Sequence, residues 1–289
     1  MNKDITQFSA IQCRQSRICL ALLLVCMAVY WVQAGDYFFF DSKYALEHND
    51  WLIIDVSEMD DWRVASVSTA AGPLGRPISN LSFVLNGVLD GEMSALSVKR
   101  SNALIHGLVG WAVFLFLRLV LSQSPVLQAQ RGHASVLALV AAGWWILHPL
   151  HVSTVLYGVQ RMTQLPALFV MLGLFCFFRV RVRWLQRSPD SEDVSRAGLI
   201  LFVFTALAAL SKENGLLLPW LAAITELCLF RFVIGGHTST WYRRCSLILL
   251  LLPLLGLLLL VAIEPSAIMQ PYELRDFSFK ERVLTQLRI

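Results

Sequence analysis

The sequence predicts an all-α integral membrane protein of about seven transmembrane helices, with one large external loop between the first two. Three observations predict it. Mean hydropathy is +0.61 and charged residues make up only 15% of the chain, which excludes a disordered protein and fits a polytopic one. Apolar runs approaching the ~20 residues that a bilayer crossing needs recur along the whole length. Arginine and lysine collect in alternate connections between those runs, as a single topology requires.

The runs are Ile18–Val32, Ala103–Leu121, Ala134–Leu147, Leu165–Val180, Ala197–Leu210, Gly215–Ile234 and Ser246–Ile263. The first lacks a prompt small-x-small cleavage site, since Val32-Gln33-Ala34-Gly35-Asp36 is a poor one, so it reads as an uncleaved anchor. The third is the shortest, and Pro149 through Val159 can extend it. Lys3, Arg14 and Arg17 precede the first run. Arg118 and Arg131 follow the second, Arg179, Arg181, Arg183 and Arg187 the fourth, and Arg231, Arg243 and Arg244 the sixth. These segments are assigned to the cytoplasm, which places the N-terminus there. The opposite short turns carry one strong cation each, Arg161 and Lys212.

The loop over about residues 34–101 holds ten acidic residues against five Lys and Arg. Its aromatic residues Tyr37-Phe38-Phe39-Phe40 and Trp51 place it against the membrane surface, and Ser79–Asn86 has the spacing of an interfacial amphipathic helix. The run from Arg179 to Arg187 reads as a topology anchor, with anionic-lipid binding as the alternative. Nothing supports nucleic-acid binding. Cys13, Cys19, Cys26, Cys176, Cys228 and Cys245 lie in the runs or at their cytoplasmic ends, so no disulfide framework or metal site is implied. The segment Glu264–Ile289 ends like the approach to another span, so residues 1–289 are expected to form an incomplete membrane domain.

Nearly every distinctive polar motif falls on the external side, where ionisable groups at membrane depth mark function. Asp41, in Phe38-Phe39-Phe40-Asp41-Ser42, is either a general base with a pKa raised by its aromatic surroundings or an ordinary solvated carboxylate. Arg76 sits in the turn Gly72-Pro73-Leu74-Gly75-Arg76-Pro77 and suits a phosphate or a lipid headgroup. His148-Pro149-Leu150-His151 places two histidines three apart on one helix face, followed by Tyr157-Gly158-Val159-Gln160-Arg161-Met162-Thr163. A phosphate-facing cluster with Arg161 as its cation stands here against helix-end capping, and a metal site lacks a third ligand. Ser211-Lys212-Glu213-Asn214 is a tight turn that keeps Lys212 near the bilayer surface, or simply a capped Lys212–Glu213 turn. Glu226 lies toward the opposite side and reads as a structural hydrogen bond or a pair with Arg231.

The order of these motifs carries a resemblance. An acid outside the first span is followed by Arg-Pro-x-Ser at Arg76–Ser79 and Asn-x-x-x-His at Asn102–His106. His-Pro-x-His-Val at His148–Val152, Gln-Arg-Met at Gln160–Met162 and Ser-Lys-Glu-Asn at Ser211–Asn214 complete it. The chain resembles the membrane half of the multi-pass GT-C class of glycosyltransferases, and within it the bacterial relatives of the transmembrane and tetratricopeptide-repeat O-mannosyltransferases. The resemblance implies a GT-C-like fold, a polyprenyl-phosphate sugar donor, an exported protein acceptor and an active face on the periplasmic side of a bacterial inner membrane. It implies Asp41 as the catalytic base, with Arg161, Lys212 and Arg76 on the donor phosphate. His148, His151, Gln160, Glu213, Asn214 and His106 would support them. No divalent metal or other cofactor is implied beyond the lipid-linked sugar. The family usually has a second acid after the first, where this chain has Ser42, and usually continues into further spans and a repeat domain. Two alternatives stay open: a transporter or flippase for a lipid-linked or anionic solute, and an inactive membrane scaffold.

Overall fold

The computed structural model describes residues 28–69, 74–123, 133–263 and 277–286, with isolated positions before them. Two units emerge, Met1–Ala222 with Val233–Gly236, and Ala223–Phe232 with His237–Ile289. The helices in chain order are α1 (Met59–Ser66), α2 (Pro77–Asp90), α3 (Ala95–Leu121), α4 (His133–Ile146), α5 (His151–Leu156), α6 (Arg161–Arg181), α7 (Ser191–Ser211), α8 (Leu218–Thr225), α9 (Thr240–Ile263) and α10 (Phe279–Gln286).

Among the described residues, four helical stretches are long and apolar enough to cross a membrane: Ala95–Leu121, Gly158–Leu185, Ser191–Ser211 and Glu213–Phe230. The described residues are therefore mainly helical and of membrane-spanning composition. The second expected run starts earlier than its hydropathy suggests. Ser94 caps α3 by accepting a hydrogen bond from the Ser97 amide, so the eight residues before the expected run, Ala95–Asn102, join the helix. Asp190 caps α7 in the same way through the Asp193 amide at 2.8 Å.

The third run, Ala134–Leu147, is helical as expected, but its extension is not. Its helix α4 stops at Ile146 after 14 residues and does not continue through Val159. The residue before a proline is driven out of helical conformation, so His148-Pro149 breaks the run. A short helix α5 and a 3₁₀ turn over Gly158–Gln160 follow. His148 and His151 are consequently not on one helix face: His148 lies in the break and His151 opens α5.

The segment between the first two expected runs is folded structure. Phe38, Leu46, Leu52, Ala65, Phe83, Val84, Ala95, Val98 and Met162 form one buried cluster. The expected helix over Ser79–Asn86 exists inside α2, but its polar residues Ser79, Asn80 and Asn86 are buried. Asn80 donates to the carbonyls of Ser66 and Gly75, and Asn86 to the hydroxyls of Ser97 and Ser101. That inward polar face ties the loop to itself and to α3.

Lys99 makes the strongest tie. It is 1% exposed, and its ammonium donates to the carbonyls of Gly35 at 2.7 Å and Tyr37 at 2.6 Å while lying over the Tyr37 ring. Asp36 in turn accepts from the Leu96 amide. Replacing Lys99 by Met leaves two carbonyls without their donor. We expect a loss of about 1–3 kcal/mol, read as a lower melting temperature in detergent and faster proteolysis near residue 36.

In the second unit, Glu226 is buried and accepts from the Phe232 amide at 3.1 Å and the Tyr242 hydroxyl at 3.3 Å. Its described role is structural. Cys176, Cys228 and Cys245 are free thiols; Cys13, Cys19 and Cys26 lie outside the described residues.

Candidate active site

Three breaks in the helical framework of the first unit meet at one end of it: the entry to α6, the exit from α7 and the turn into α2. Their meeting point is the stretch Tyr157–Thr163. Tyr157 accepts a hydrogen bond at its hydroxyl from the Asp41 amide at 3.1 Å. The Val159 amide donates to the Ser42 hydroxyl at 3.1 Å. Met162 sulfur lies 3.7 Å from Arg76 Nη1. Thr163 accepts from the Lys212 ammonium at 2.9 Å and donates to Gln160 Oε1 at 2.9 Å. Within seven consecutive residues, Tyr157, Met162 and Thr163 thus touch Asp41, Arg76 and Lys212, which lie far apart in sequence.

Asp41 is exposed. It opens the short helical segment that continues through Lys43–Glu47, and Phe40 before it has φ of 43°. Its side chain borders a cleft of about 420 Å³ lined also by Tyr44, His48, Asn49, Ser68 and Thr69. Ser42 points the other way, buried at 0% exposure. A second acid at that position would face the core turn at Val159, so the departure at Ser42 leaves the exposed face of the segment unchanged.

Arg76 precedes Pro77 with φ of 53°, directly after Gly75 at 66°. Left-handed backbone is ordinary for Gly75 and costly for Arg76. The two non-glycine positive-φ residues described in the first unit, Phe40 and Arg76, therefore both adjoin the site. The Arg76 guanidinium grips Glu213 with two bonds, Nη2 to Oε2 at 3.1 Å and Nε to Oε1 at 3.4 Å. The Ser79 hydroxyl donates to the Ser211 carbonyl at 2.8 Å and fixes α2 against the exit of α7. Gly215 lets the following turn fold back, because a Cβ there would collide with the Ala208 backbone. Burial, then the neighbouring Arg76, push the Lys212 ammonium below the ordinary lysine value, with Glu213 opposing. Burial raises the Tyr157 phenol. Asn214 is exposed.

Arg161 is placed otherwise than expected. It is 1% exposed. Nε donates to Asn102 Oδ1 at 2.8 Å, Nη1 to the Ser82 carbonyl at 2.8 Å and Nη2 to the Val98 carbonyl at 2.9 Å, over the Phe83 ring. This guanidinium faces the interior and ties α2, α3 and α6 together, so it does not meet the expectation of a phosphate ligand.

The histidines form a separate group. His106 and His151 rings lie 4.9 Å apart, with Trp145 4.4 Å from His151 and stacked on His106 at 5.1 Å. His106 also bonds the Ile146 carbonyl, and His148 meets His151 at 6.3 Å. Burial, then His148, lower the His151 imidazole. This is an aromatic wall at the break after α4, linked to the site stretch through Asn102, which donates to the Val155 and Gly158 carbonyls.

The sequence motifs include Tyr157, Met162, Thr163 and Asn102 but assign them no role of their own, and Lys99 is not singled out by sequence. For Tyr157 and Thr163 a signal existed, since they flank the Gln160-Arg161-Met162 motif.

No protein-family model matches the chain, and no solved structure matches it. Among curated proteins it is similar to human "Protein O-mannosyl-transferase TMTC4", at 26% identity over 200 residues. The match covers 67% of this chain and 27% of that protein, so the chain spans about a quarter of that relative's length. The resemblance read from the motif order is borne out over two thirds of the chain.

Proposed function

We propose that this chain is the membrane part of a glycosyltransferase. It would move a sugar from a polyprenyl-phosphate donor to a hydroxyl acceptor on an exported protein. The observation that carries the reading is the convergence of Asp41, Arg76 and Lys212 on the stretch Tyr157–Thr163. The likeness to an O-mannosyl-transferase supports it independently.

In this reading Asp41 takes the proton of the acceptor hydroxyl as its oxygen attacks the anomeric carbon. The bond from that carbon to the donor phosphate oxygen breaks, and the leaving phosphate gains a negative charge. Arg76 and Lys212 face that charge, which is where fixed cations lower the barrier most. The polyprenyl chain stays in the bilayer, so the phosphate must sit at the surface, as turns beside membrane-spanning helices allow. We place the site on the periplasmic side, with seven crossings and a cytoplasmic N-terminus, because basic residues mark the other ends.

The test is transfer of labelled sugar from a polyprenyl-phosphate donor to a Ser/Thr peptide in proteoliposomes, with the chain and with the longest reading frame at its locus. Lys212→Met is expected to lower transfer about 10²-fold, the scale of losing one charge-stabilising donor, with an unchanged melting temperature. Solute flux without any transfer would instead establish the transport reading.

A further inference from the structure

The Arg76–Glu213 pair has a geometry that a purely structural tie does not require. The carboxylate engages the guanidinium through both oxygens, the fork geometry that arginine offers equally to carboxylate and phosphate. The pair is not sealed, since its side chains are 18% and 27% exposed. Arg76 is held in left-handed backbone at the mouth of α2, where this contact and the Met162 sulfur are its described partners. Beside it, Lys212 has a neutral hydroxyl partner in Thr163 and no ion pair among the described residues. One carboxylate therefore stands against two adjacent cations.

We infer that Glu213 is a displaceable stand-in anion. Its carboxylate orients Arg76 while the site is empty and gives way to the phosphoryl oxygens of the donor. This rests on the reading of the site as a phosphate site. Glu213 acts through Arg76 and is a positioning residue. Neutralising it removes a competitor for the guanidinium, so anion binding should tighten, whereas loss of a merely structural bridge would weaken it.

The experiment measures binding of geranyl phosphate and of inorganic phosphate to the purified full chain in detergent. Glu213→Gln is expected to bind both about three- to tenfold more tightly, the scale of one partly exposed ion pair. The gain should vanish in the Arg76→Gln/Glu213→Gln double variant, as coupling between the two residues requires. Unchanged or weaker binding by Glu213→Gln, or a gain confined to geranyl phosphate, overturns the inference. Should Glu213→Gln fail to fold by its melting curve, Glu213→Asp decides: a shortened carboxylate gives a smaller gain in the same direction, and no gain overturns it. The two failures are separable. Tighter phosphate binding without sugar transfer sinks the transferase reading and leaves this one. Normal transfer with Arg76-independent phosphate binding does the reverse.

Discussion

Arg161→Met is expected to lose about 2–4 kcal/mol of stability and to lower the melting temperature in detergent sharply, while any residual folded protein still binds a prenyl phosphate. Two effects oppose each other here. Removing a buried charge removes its desolvation cost, and apolar replacements of buried charged groups are sometimes neutral or better. Against that, the guanidinium makes three short bonds to three different places: Asn102 Oδ1, the Ser82 carbonyl and the Val98 carbonyl. Bonds to a charged group contribute roughly 1.5–3 kcal/mol each. The Asn102 oxygen would be left buried and empty, and Asn102 also holds the carbonyls of Val155 and Gly158 at the site stretch. The bonds win because they join α2, α3 and α6. Arg161→Lys should recover little, since a point-like ammonium cannot span three acceptors laid out for a planar fork. A fully stable Arg161→Met that has lost phosphate binding would restore Arg161 to the phosphate and refute its interior role.

That expectation shows where sequence reading stops. The apolar runs, the basic connections and the order of the polar motifs are local signals, and they located the turns where the site forms. The phase of a side chain around its helix is not local. Thr163 accepts from Lys212 and donates to Gln160, each at 2.9 Å, while Arg161 and Gln164, each one position on, are buried. Both pairs are three residues apart and look alike in sequence, and only the packing of α6 against α3 decides which pair is inside. The same holds for Lys99: an amphipathic stem with a charge at its tip reads as a helix-end anchor until Gly35 and Tyr37 are seen to receive it. The extension of the third run failed for a different reason. Hydropathy averages over His148-Pro149, whereas the proline's effect on the preceding residue breaks the helix regardless of how apolar the flanks are. Ser42 stands where the resembling family usually has a second acid, yet successive residues at the start of a helical turn point in different directions, and Ser42 faces Val159.

Asp41→Asn should abolish sugar transfer by about 10²–10⁴-fold, the usual contribution of general-base catalysis, without changing the melting temperature or prenyl-phosphate binding. The structural argument for silence in the fold is direct. The contact that anchors this residue runs from its backbone amide to the Tyr157 hydroxyl, and asparagine keeps that amide. The side chain is exposed at the cleft, so exchanging one carboxylate oxygen for an amide leaves no buried group unpaired. The argument for a large effect on transfer is equally specific. An amide cannot take a proton from the acceptor, and among the residues lining the cleft with Asp41, its carboxylate is the one anionic group. Asp41→Glu separates position from charge: it keeps the base but moves it by one methylene, so partial activity is expected, well above Asp41→Asn. Tyr157→Phe completes the set. It removes the oxygen that receives the Asp41 amide while keeping the ring that packs against Phe40 at 6.2 Å, so the carboxylate loses its placement but not its chemistry. A moderate fall in transfer with an unaltered acceptor KM would be the signature of misplacement. Equal full activity in Asp41→Asn and wild type would remove Asp41 from the reaction.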